Sequence, residues 1–389
     1  MVTLFWASVA IVAYVYAGYP ALLGLWSSVA ARPIRKQRSL PGVVYPPVSI
    51  IVAARNEAAR LPARIRNLLD QDYPGPVEII VVSDGSTDGT PAALERFRAA
   101  VRLIELPQGG KPRAVNAGAA AATGEILVFA DARQRFALDA VRQLVANFAD
   151  PTVGGVTGEL MLDVEGDATV EASIGEGVGL YWKYEKWLRR HESRVGSTLG
   201  ATGAIYALRR ALWQPLPAEA LLDDVLAPMR VVLAGHRMVF DDAAKAFDRA
   251  EPDSATESRR KTRTLAGNYQ ILSLEPRLLV PFANPVWGQY VSHKLGRLIV
   301  PWALIVALLT SAVLAPRSWV YAVALMLQLC LYGLAAFGMW AESRELSRTP
   351  RTPDPPPDHP SEPGDRLDPT PPCTDIKLKL ELTLREFLR

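Results

Sequence analysis

Runs of apolar residues that end in small polar turns recur along the first third of the chain. The run from Ile79 to Val82 is wholly β-branched, and a turn with two glycines and two aspartates follows it from Ser83 to Thr90. An unbroken run of this kind is typical of a strand covered on both faces. Three further runs end in the same way, at residues 48–54, 101–106 and 125–130. The pattern therefore predicts four buried strands, each leading into a polar turn.

The segments between these strands have the apolar spacing of helices. Strands that alternate with helices imply right-handed crossovers and a parallel sheet. The carboxyl ends of parallel strands open on one edge of the sheet, where ligands bind. We therefore expect the polar residues that follow the strands to lie together. They are Arg55, Glu57, Asp84, Lys111 and Asp131.

The regular alternation of strands and helices ends beyond Pro151. A strand of a different type is predicted at residues 153–160, then an aromatic-rich helix, then a second strand-like piece at residues 200–210. An acidic pair, Asp223 and Asp224, opens the next predicted helix. A helix N-terminus attracts acidic residues through its dipole alone, so this pair by itself has a structural explanation.

Three stretches are long and apolar enough to cross the hydrocarbon core of a bilayer, which is roughly 30 Å thick. They cover residues 4–31, 298–315 and 319–340, and the last two form a predicted hairpin. The first stretch contains a cleavage-like Ser-Val-Ala sequence, but no Lys or Arg precedes it, so we interpret it as an anchor rather than a signal peptide. Basic residues follow the first stretch and precede the second. The positive-inside rule therefore predicts that residues 32–297 lie in the cytoplasm.

Composition excludes several classes of ligand. The chain has 43 basic and 40 acidic residues, a formal charge of +3, and therefore no electrostatic footprint for nucleic acid. Its two cysteines and four scattered histidines show neither a disulfide framework nor the spacing of a zinc site. No Gly-x-Gly-x-x-Gly or Walker-type loop is present, so the expected ligand is neither a dinucleotide nor a P-loop triphosphate.

Taken in order, the polar turns after the strands and the later acidic and basic motifs resemble those of the membrane-bound family 2 glycosyltransferases. This family includes synthases of cellulose, hyaluronan and poly-N-acetylglucosamine. The resemblance covers residues 48 to about 300, and its motifs are specific jointly although each alone is weak. It implies an α/β fold, namely a GT-A nucleotide-sugar-binding domain with a mostly parallel sheet, plus about three transmembrane helices. The matching segments are Arg55-Asn56-Glu57, Ser83-Asp84-Gly85-Ser86-Thr87-Asp88-Gly89, Gly109-Gly110-Lys111, Asp131, Asp223-Asp224 and Arg260-x-x-Arg263.

The predicted organisation has six parts. They are a transmembrane helix at 1–31, a basic linker at 32–47, the GT-A domain at 48–275, an interfacial amphipathic segment at 276–297, a transmembrane hairpin at 298–340 and a Pro-rich, disordered tail at 341–389. One isoleucine and four leucines alternate with charged or polar residues at 376–384 and predict one isolated strand in the tail. We expect residues 342–389 to be dispensable for activity.

The resemblance implies a donor site for a UDP-sugar. Asp84 is expected to hydrogen-bond the uracil, Arg55 and Glu57 to line the nucleoside pocket, and Lys111 to contact the diphosphate. Two alternatives stay open. Asp84 is also a common turn former, and Lys111 also fits a solvated loop lysine.

The pair at the later helix start corresponds to the catalytic pair of the family. By resemblance Asp224 is the general base, with Asp223 beside it. Such a base takes the acceptor hydroxyl's proton from the face of the sugar opposite the leaving diphosphate. Gly203 and Tyr206 lie where relatives contact the acceptor, although an ordinary core strand explains them nearly as well.

The basic cluster after residue 257 matches the family's Gln-x-x-Arg-Trp motif in Arg263 and in spacing. Arg260 stands in place of the Gln, and Thr264 stands in place of the Trp. Both arginines are expected near the diphosphate, because a guanidinium fork suits phosphate oxygens. The Trp of the acceptor channel in processive relatives has no counterpart here.

Asp131 corresponds to the first carboxylate of the family's Asp-x-Asp metal motif, and Arg133 replaces the second. A divalent ion, Mg or Mn, is expected at Asp131, but with a weakened requirement, since hard cations want several oxygen ligands. Two positions are open for Arg133. Its guanidinium lies against the diphosphate and offsets the developing charge, or it turns outward or pairs with Asp131.

The expected function is inverting transfer of a sugar from a UDP-sugar to a lipid-linked, otherwise membrane-associated or polysaccharide acceptor, with the GT-A domain on the cytoplasmic face of a bacterial-type inner membrane. The expected partners are the nucleotide-sugar donor, that acceptor and membrane lipid, without nucleic acid. The alternative is a non-catalytic membrane protein that binds a nucleotide-sugar, a degenerate glycosyltransferase. Asp84, Lys111 and Asp224 favour the enzyme.

Overall fold

The computed structural model describes residues 1–37, 44–163, 176–249 and 254–348. The chain divides into two compact units, one formed by Ala17–Arg297 and the other by Met1–Tyr16 with the chain from Leu298 onward. The first unit contains the sheet and is described first. The predicted tail strand at 376–384 lies outside the described residues.

The sheet has eight strands in the order β3-β2-β1-β4-β7-β6-β8-β5. Four of the described strand pairings are parallel and three are antiparallel. The strands are β1 Val48–Ala54, β2 Val77–Asp84, β3 Val101–Leu106, β4 Ile126–Asp131, β5 Arg135–Phe136, β6 Val153–Asp163, β7 Ile205–Arg209 and β8 Arg237–Arg249.

The described α-helices are distributed over both units. They are α1 Val2–Ala13, α2 Tyr19–Val29, α3 Leu61–Leu69, α4 Thr90–Ala93, α5 Lys111–Ala121, α6 Ala140–Ala146, α7 Glu176–Val195, α8 Asp223–Leu233, α9 Ser254–Leu274, α10 Trp287–Gln289, α11 Gly296–Leu314 and α12 Trp319–Arg348. A π-helical turn, Tyr14–Gly18, joins α1 to α2, and another, Tyr290–Leu295, joins α10 to α11.

The four predicted strands form the parallel half of the sheet, which confirms the predicted α/β fold. β1 lies between β2 and β4, and its residues from Val48 to Val52 are buried. Helix α5 packs closely on this half, because a Cβ at Gly118 would stand 2.6 Å from Ile51 Cγ2. Beyond β4 the order is no longer sequential, since β7 inserts antiparallel against β4. The part of the chain after Pro151, where the regular alternation of strands and helices ends, therefore forms the mixed half of the sheet.

Three described helices are long and apolar enough to cross a membrane: Val2–Val29, Trp287–Arg317 and Trp319–Gly338. The second begins well before the predicted start at residue 298 and overlaps the last part of the predicted interfacial segment at 276–297. The helix continues through Tyr290–Leu295 because polar residues that interrupt the apolar run, such as His293, are buried against protein.

The last helix also differs from its prediction. Its backbone is helical to Arg348, so the disordered tail predicted from residue 341 begins too early. Glu and Arg have high helix propensity, so α12 continues past the end of the apolar run. Helix propensity does not require apolar side chains.

The predicted basic linker, residues 32–47, is bonded to the domain over its described first part. Arg32 N donates to Arg194 O at 2.7 Å, and Gln37 N donates to Ala146 O at 2.7 Å. Lys36 Nζ lies 2.7 Å from Asp241 Oδ2. We call residues 32–37 the strap. The predicted linker is thus hydrogen-bonded to the domain over residues 32–37.

The strap makes a testable prediction about stability. The buried Asp241 carboxylate accepts from Lys36, from Asn147 Nδ2 at 2.7 Å and from Ala243 N at 3.1 Å. Asp241→Ala should lower the free energy of unfolding by about 2 kcal/mol, because buried donors lose their acceptor. Urea denaturation of the solubilised full chain measures this loss.

The neighbouring residue is the matched control. Asp242 pairs with Arg190, and both side chains are largely exposed. Asp242→Ala should therefore cost less than about 1 kcal/mol. Equal losses for the two variants would show that the strap adds nothing specific.

Candidate active site

The turns after β1 and β2 are tied together by side-chain hydrogen bonds. Asn56 has a positive φ of 55°, and its N–H donates to Ser86 Oγ at 3.1 Å. Its side-chain oxygen accepts from Thr87 N at 2.9 Å. Asp88 accepts from Ala58 N at 2.9 Å. These contacts give the edge of the sheet a fixed rim, and Asp88 has a structural role there that the sequence did not indicate.

The two residues predicted for the nucleoside pocket lie on this rim. Arg55 is exposed directly after β1. Glu57 N donates to Thr90 Oγ1 at 3.0 Å, and its carboxylate pairs with Arg60 at 3.1 Å. Both side chains therefore remain accessible from the edge where the strands end.

Asp84 organises the adjoining loop. It is buried, and its two carboxylate oxygens accept from Gly109 N at 2.7 Å and from Gly110 N at 2.8 Å. Gly110 has a φ of 90°, which suits glycine, and helix α5 starts at the next residue, Lys111. Each carboxylate oxygen has a further lone pair, so Asp84 can still accept from a ligand.

Lys111 stands between two carboxylates. Its Nζ lies 3.0 Å from Asp131 Oδ1 and 3.3 Å from Asp223 Oδ2. Burial lowers the pKa of Lys111, but the charges of Asp131, Asp223 and Asp224 outweigh it and raise the pKa above its ordinary value. Lys111 is therefore a permanently charged ammonium that neutralises this corner.

Asp223 and Asp224 occupy the first turn of α8, as the sequence predicted. Ala201 N donates to the Asp224 backbone oxygen at 2.7 Å, so the preceding loop is fixed against the pair. Burial, with the charge of Asp223 added, raises the pKa of Asp224 to about 6, against a lowering by Lys111. Gly203 faces this carboxylate, since a Cβ there would stand 2.8 Å from Asp224 Oδ2.

Tyr206 lies in the core beneath the site. Its ring is 1% exposed and stacks on Phe129 with centroids 4.6 Å apart. Its hydroxyl has no hydrogen-bond partner within the described residues. This burial favours the core-strand alternative over the predicted acceptor contact. The recess above it is lined by Ala53, Lys111, Asp131, Gly203, Tyr206 and Asp223.

Arg133 pairs with Asp248, a partner that neither expectation named. Its Nη2 lies 2.5 Å from Oδ2 of the buried Asp248 on β8, and Gln134 Nε2 donates to the same oxygen at 3.0 Å. A buried carboxylate needs such partners, and the strand that supplies Asp248 lies far along the chain. The pairing was therefore not visible in the local sequence.

The donor set does not fit a divalent metal centre well. Asp131 offers one carboxylate, which Lys111 already contacts, and Arg133 stands where a second would be. Across residues 1–37, 44–163, 176–249 and 254–348, no group of three His, Cys, Asp or Glu side chains is placed to hold an ion.

Arg260 and Arg263 are exposed on α9. This helix is fixed to the loop before Asp223, because Leu221 N donates to Gln270 Oε1 at 3.0 Å. Gly267 also packs closely on Leu222. Residues 263, 267 and 270 share one helix face by their spacing. Arg263 therefore lies on the face that α9 turns toward this loop.

Sequence reasoning missed Arg64, which supports the site from below. Its Nε donates to the Asp131 backbone oxygen at 3.1 Å, and its guanidinium lies 4.1 Å from the centroid of the Phe136 ring. Burial lowers the pKa of Arg64 to about 9, with Asp131 opposing the shift. The signal was weak, because a single arginine on an amphipathic helix usually faces solvent.

Comparison with known proteins agrees with this geometry. Residues 49–213 match the family model described as glycosyl transferase family 2. An N-acetylglucosaminyltransferase of Rhizobium meliloti is 30% identical over 53% of this chain and 49% of its own length. A beta-monoglucosyldiacylglycerol synthase of a Synechocystis species is 36% identical over 29% of this chain and 25% of its own length. The chain thus spans about half of the first relative and a quarter of the second.

A solved structure resembles nearly the whole chain. It is a mannosyltransferase of Pyrobaculum calidifontis in complex with GDP-Man and Mn²⁺, with a TM-score of 0.66 and 24% identity, covering 87% of this chain and 94% of that one. Together with the sheet order and the family match, this likeness identifies the architecture. The chain belongs to glycosyl transferase family 2, and its sheet has the GT-A fold.

Proposed function

We propose that this chain is an inverting glycosyltransferase that moves a sugar from a UDP-sugar to a membrane-associated or polysaccharide acceptor. The observation that carries the proposal is the state of Asp224. Its carboxylate is half-buried, has no ion pair within the described residues, and has a pKa raised to about 6. A group that is ionised near neutral pH and still basic suits proton transfer.

The two members of the acidic pair have different roles. Asp223 contacts the Lys111 ammonium and so positions it, whereas Asp224 faces Gly203. The lack of a side chain at Gly203 leaves room beside the Asp224 carboxylate for an acceptor hydroxyl. In an in-line displacement the base must stand opposite the leaving diphosphate. Lys111 suits that diphosphate, since it is a fixed positive charge that contacts Asp131 and Asp223 and not the base itself.

The donor pocket extends from Lys111 along the rim. Asp84 holds the loop that leads to Lys111, and its remaining lone pairs suit the N–H of a uracil ring. Arg55 and Glu57 are accessible beside it. The face of α9 that carries Arg263 adds a guanidinium suited to phosphate oxygens.

We expect a weak metal requirement because Arg133 replaces the second carboxylate of the metal motif. Lys111 contacts Asp131 and Asp223, and with Asp224 nearby its ammonium faces three carboxylates. The positive charge for the donor diphosphate would therefore come from Lys111 together with the exposed Arg263 of α9. Arg133 is held by Asp248, so we assign it a structural role instead of the predicted contact with the leaving group.

Membrane attachment supports an acceptor that is itself at a membrane. Three helices have the length and apolar character of membrane spans. One relative is named for a diacylglycerol glycolipid and another for N-acetylglucosamine transfer, which supports a hexose or N-acetylhexosamine donor. The basic residues that flank the spans support a cytoplasmic active site.

Replacement of the base tests the proposal directly. Asp224→Asn should lower transfer from UDP-sugars by at least about 100-fold, the usual contribution of a positioned base. Binding of UDP should persist. A raised carboxylate pKa means that the folded state loses stability as pH rises through about 4 to 6, so the variant should melt at a higher temperature than the native chain at pH 8.

The same carboxylate can be displaced without being removed. Gly203→Ala places a methyl group against Asp224 Oδ2 and should also lower the rate of transfer. Gly288→Ala is the control, since nothing lies within 4 Å of a Cβ at that position. Near-native transfer by Asp224→Asn would refute its role as base. UDP binding without turnover in the native chain would favour the non-catalytic alternative.

Dependence on pH gives an independent prediction. Asp224 accepts a proton only when ionised, so turnover should fall as pH drops below about 6, close to tenfold per unit. Initial rates at saturating donor between pH 5 and 8 measure the profile. A rate that stays flat down to pH 5 would contradict the assignment.

The effect of a chelator on transfer distinguishes a diphosphate stabilised by Lys111 from one stabilised by a bound metal ion. We expect a chelator to lower transfer by less than about tenfold, and Lys111→Met to lower it by about 100-fold or more even with Mg or Mn added. Arg133→Ala should lower the melting temperature, because it leaves Asp248 buried without its partner. Complete loss of transfer in chelator, restored by metal, would refute the weak requirement.

A further inference from the structure

A second pair of cations lies beyond Asp224. Arg189 on α7 donates from Nη1 to Thr202 Oγ1 at 2.7 Å. Thr202 is itself fixed, since its N–H donates to Thr157 Oγ1 at 2.8 Å. The residue after Thr202 is Gly203, which faces the Asp224 carboxylate. Arg189 is therefore anchored next to the glycine that faces the base.

Lys294 is the other member of the pair. It is half-buried in the π-helical turn Tyr290–Leu295, and its charge lowers the pKa of Asp224. It also lies close enough to Arg189 for their like charges to interact. The charges of both Lys111 and Lys294 therefore act on Asp224. Neither cation of the second pair has a place in the donor site.

The nearest carboxylates are already occupied. Glu192 Oε1 accepts from Tyr19 Oη at 2.8 Å and lies 2.7 Å from His293 Nδ1. Glu185 Oε1 pairs with Arg297 at 2.5 Å. In the part of the chain that the structure describes, neither Arg189 nor Lys294 makes an ion pair. Glu185 acts on both cations and Glu192 on Lys294 through space, but with Arg297 the group holds three cations against two carboxylates.

Two unpaired cations in a partly desolvated place favour an anion. Like charges a few ångströms apart repel more strongly as water is removed, and an anion between them reverses the sign of that energy. A phosphate suits the pair, because a guanidinium presents two parallel N–H groups and an ammonium adds a point charge. Lys294 also belongs to the apolar helix Trp287–Arg317, which has the length of a membrane span.

We infer that Arg189 and Lys294 bind a phosphate group carried by the acceptor, and so hold its hydroxyl against Asp224. This inference rests on the proposed function, in which Asp224 takes the proton of that hydroxyl. It names an acceptor class, a phosphate-bearing membrane lipid, rather than a neutral glycan. Arg189 and Lys294 are positioning residues, since they act on the acceptor away from the reacting atoms.

Binding to simple phosphate probes tests the inference. The solubilised full chain is titrated calorimetrically with dodecyl phosphate in neutral maltoside micelles, and UDP is titrated separately. Arg189→Gln and Lys294→Gln should each weaken dodecyl phosphate binding by about tenfold, as expected for loss of one charged hydrogen bond. UDP affinity should not change. Lys294→Arg, which keeps the charge, should keep most of the affinity and shows that loss in the glutamine variant is not misfolding.

The control variant is Lys183→Gln, which removes an exposed charge from the same helix α7. It should change dodecyl phosphate affinity by less than about twofold. Inorganic phosphate, added as competitor, separates the sources. Competition supports a site that takes free phosphate as well, and no competition supports one that requires the lipid chain.

These experiments distinguish a failure of the phosphate-site inference from a failure of the proposed function. Unchanged dodecyl phosphate affinity in both glutamine variants overturns the inference, as does an equal loss in Lys183→Gln. Weaker UDP binding in Lys294→Gln also overturns it, because the cations would then belong to the donor. If the native chain fails to bind UDP, the proposed function fails, whereas a phosphate affinity that depends on Arg189 and Lys294 still supports the anion site.

Discussion

The Lys111 ammonium stabilises a cluster of carboxylates at the edge of the sheet. Three carboxylates, one from Asp131 at the end of β4 and two from Asp223 and Asp224 at the start of α8, meet at one edge of the sheet. Without a cation their mutual repulsion would open the corner or drive protons onto it. Lys111 contacts two of them, and the third stays close enough to interact with it. The result is an uneven distribution of charge, in which the carboxylate without a direct cation partner is the more basic one.

The parallel half of the sheet was predictable because its signals are local. Unbroken β-branched runs, the alternation with helices and the polar residues after each strand need only neighbouring sequence. They placed Asp84, Lys111 and Asp131 at one edge, where the structure has them. The acidic pair was also found from sequence, but only its surroundings distinguish Asp223, held by the lysine, from Asp224, which faces a glycine.

The rest depends on contacts between residues far apart in the chain. Arg133 meets Asp248, and Lys36 of the strap meets Asp241, both on β8. Nothing near Arg133 in the sequence distinguishes a guanidinium that binds phosphate from one that neutralises a buried aspartate. The start of the second apolar helix was misplaced for a similar reason. His293 and Lys294 lower the local hydropathy, yet His293 is buried against Glu192 of α7 and the helix continues.

In the proposed donor site, Asp84 would link the nucleobase end to the diphosphate end. Its carboxylate accepts hydrogen bonds from the amides of Gly109 and Gly110, and the next residue is Lys111. A base seated on Asp84 would redistribute the charge that holds those two amides, and the loop would transmit the change to the first turn of α5. Recognition of the nucleobase is then mechanically connected to the placement of Lys111. A donor with the wrong base would be penalised in the speed of the reaction and not only in its residence on the protein.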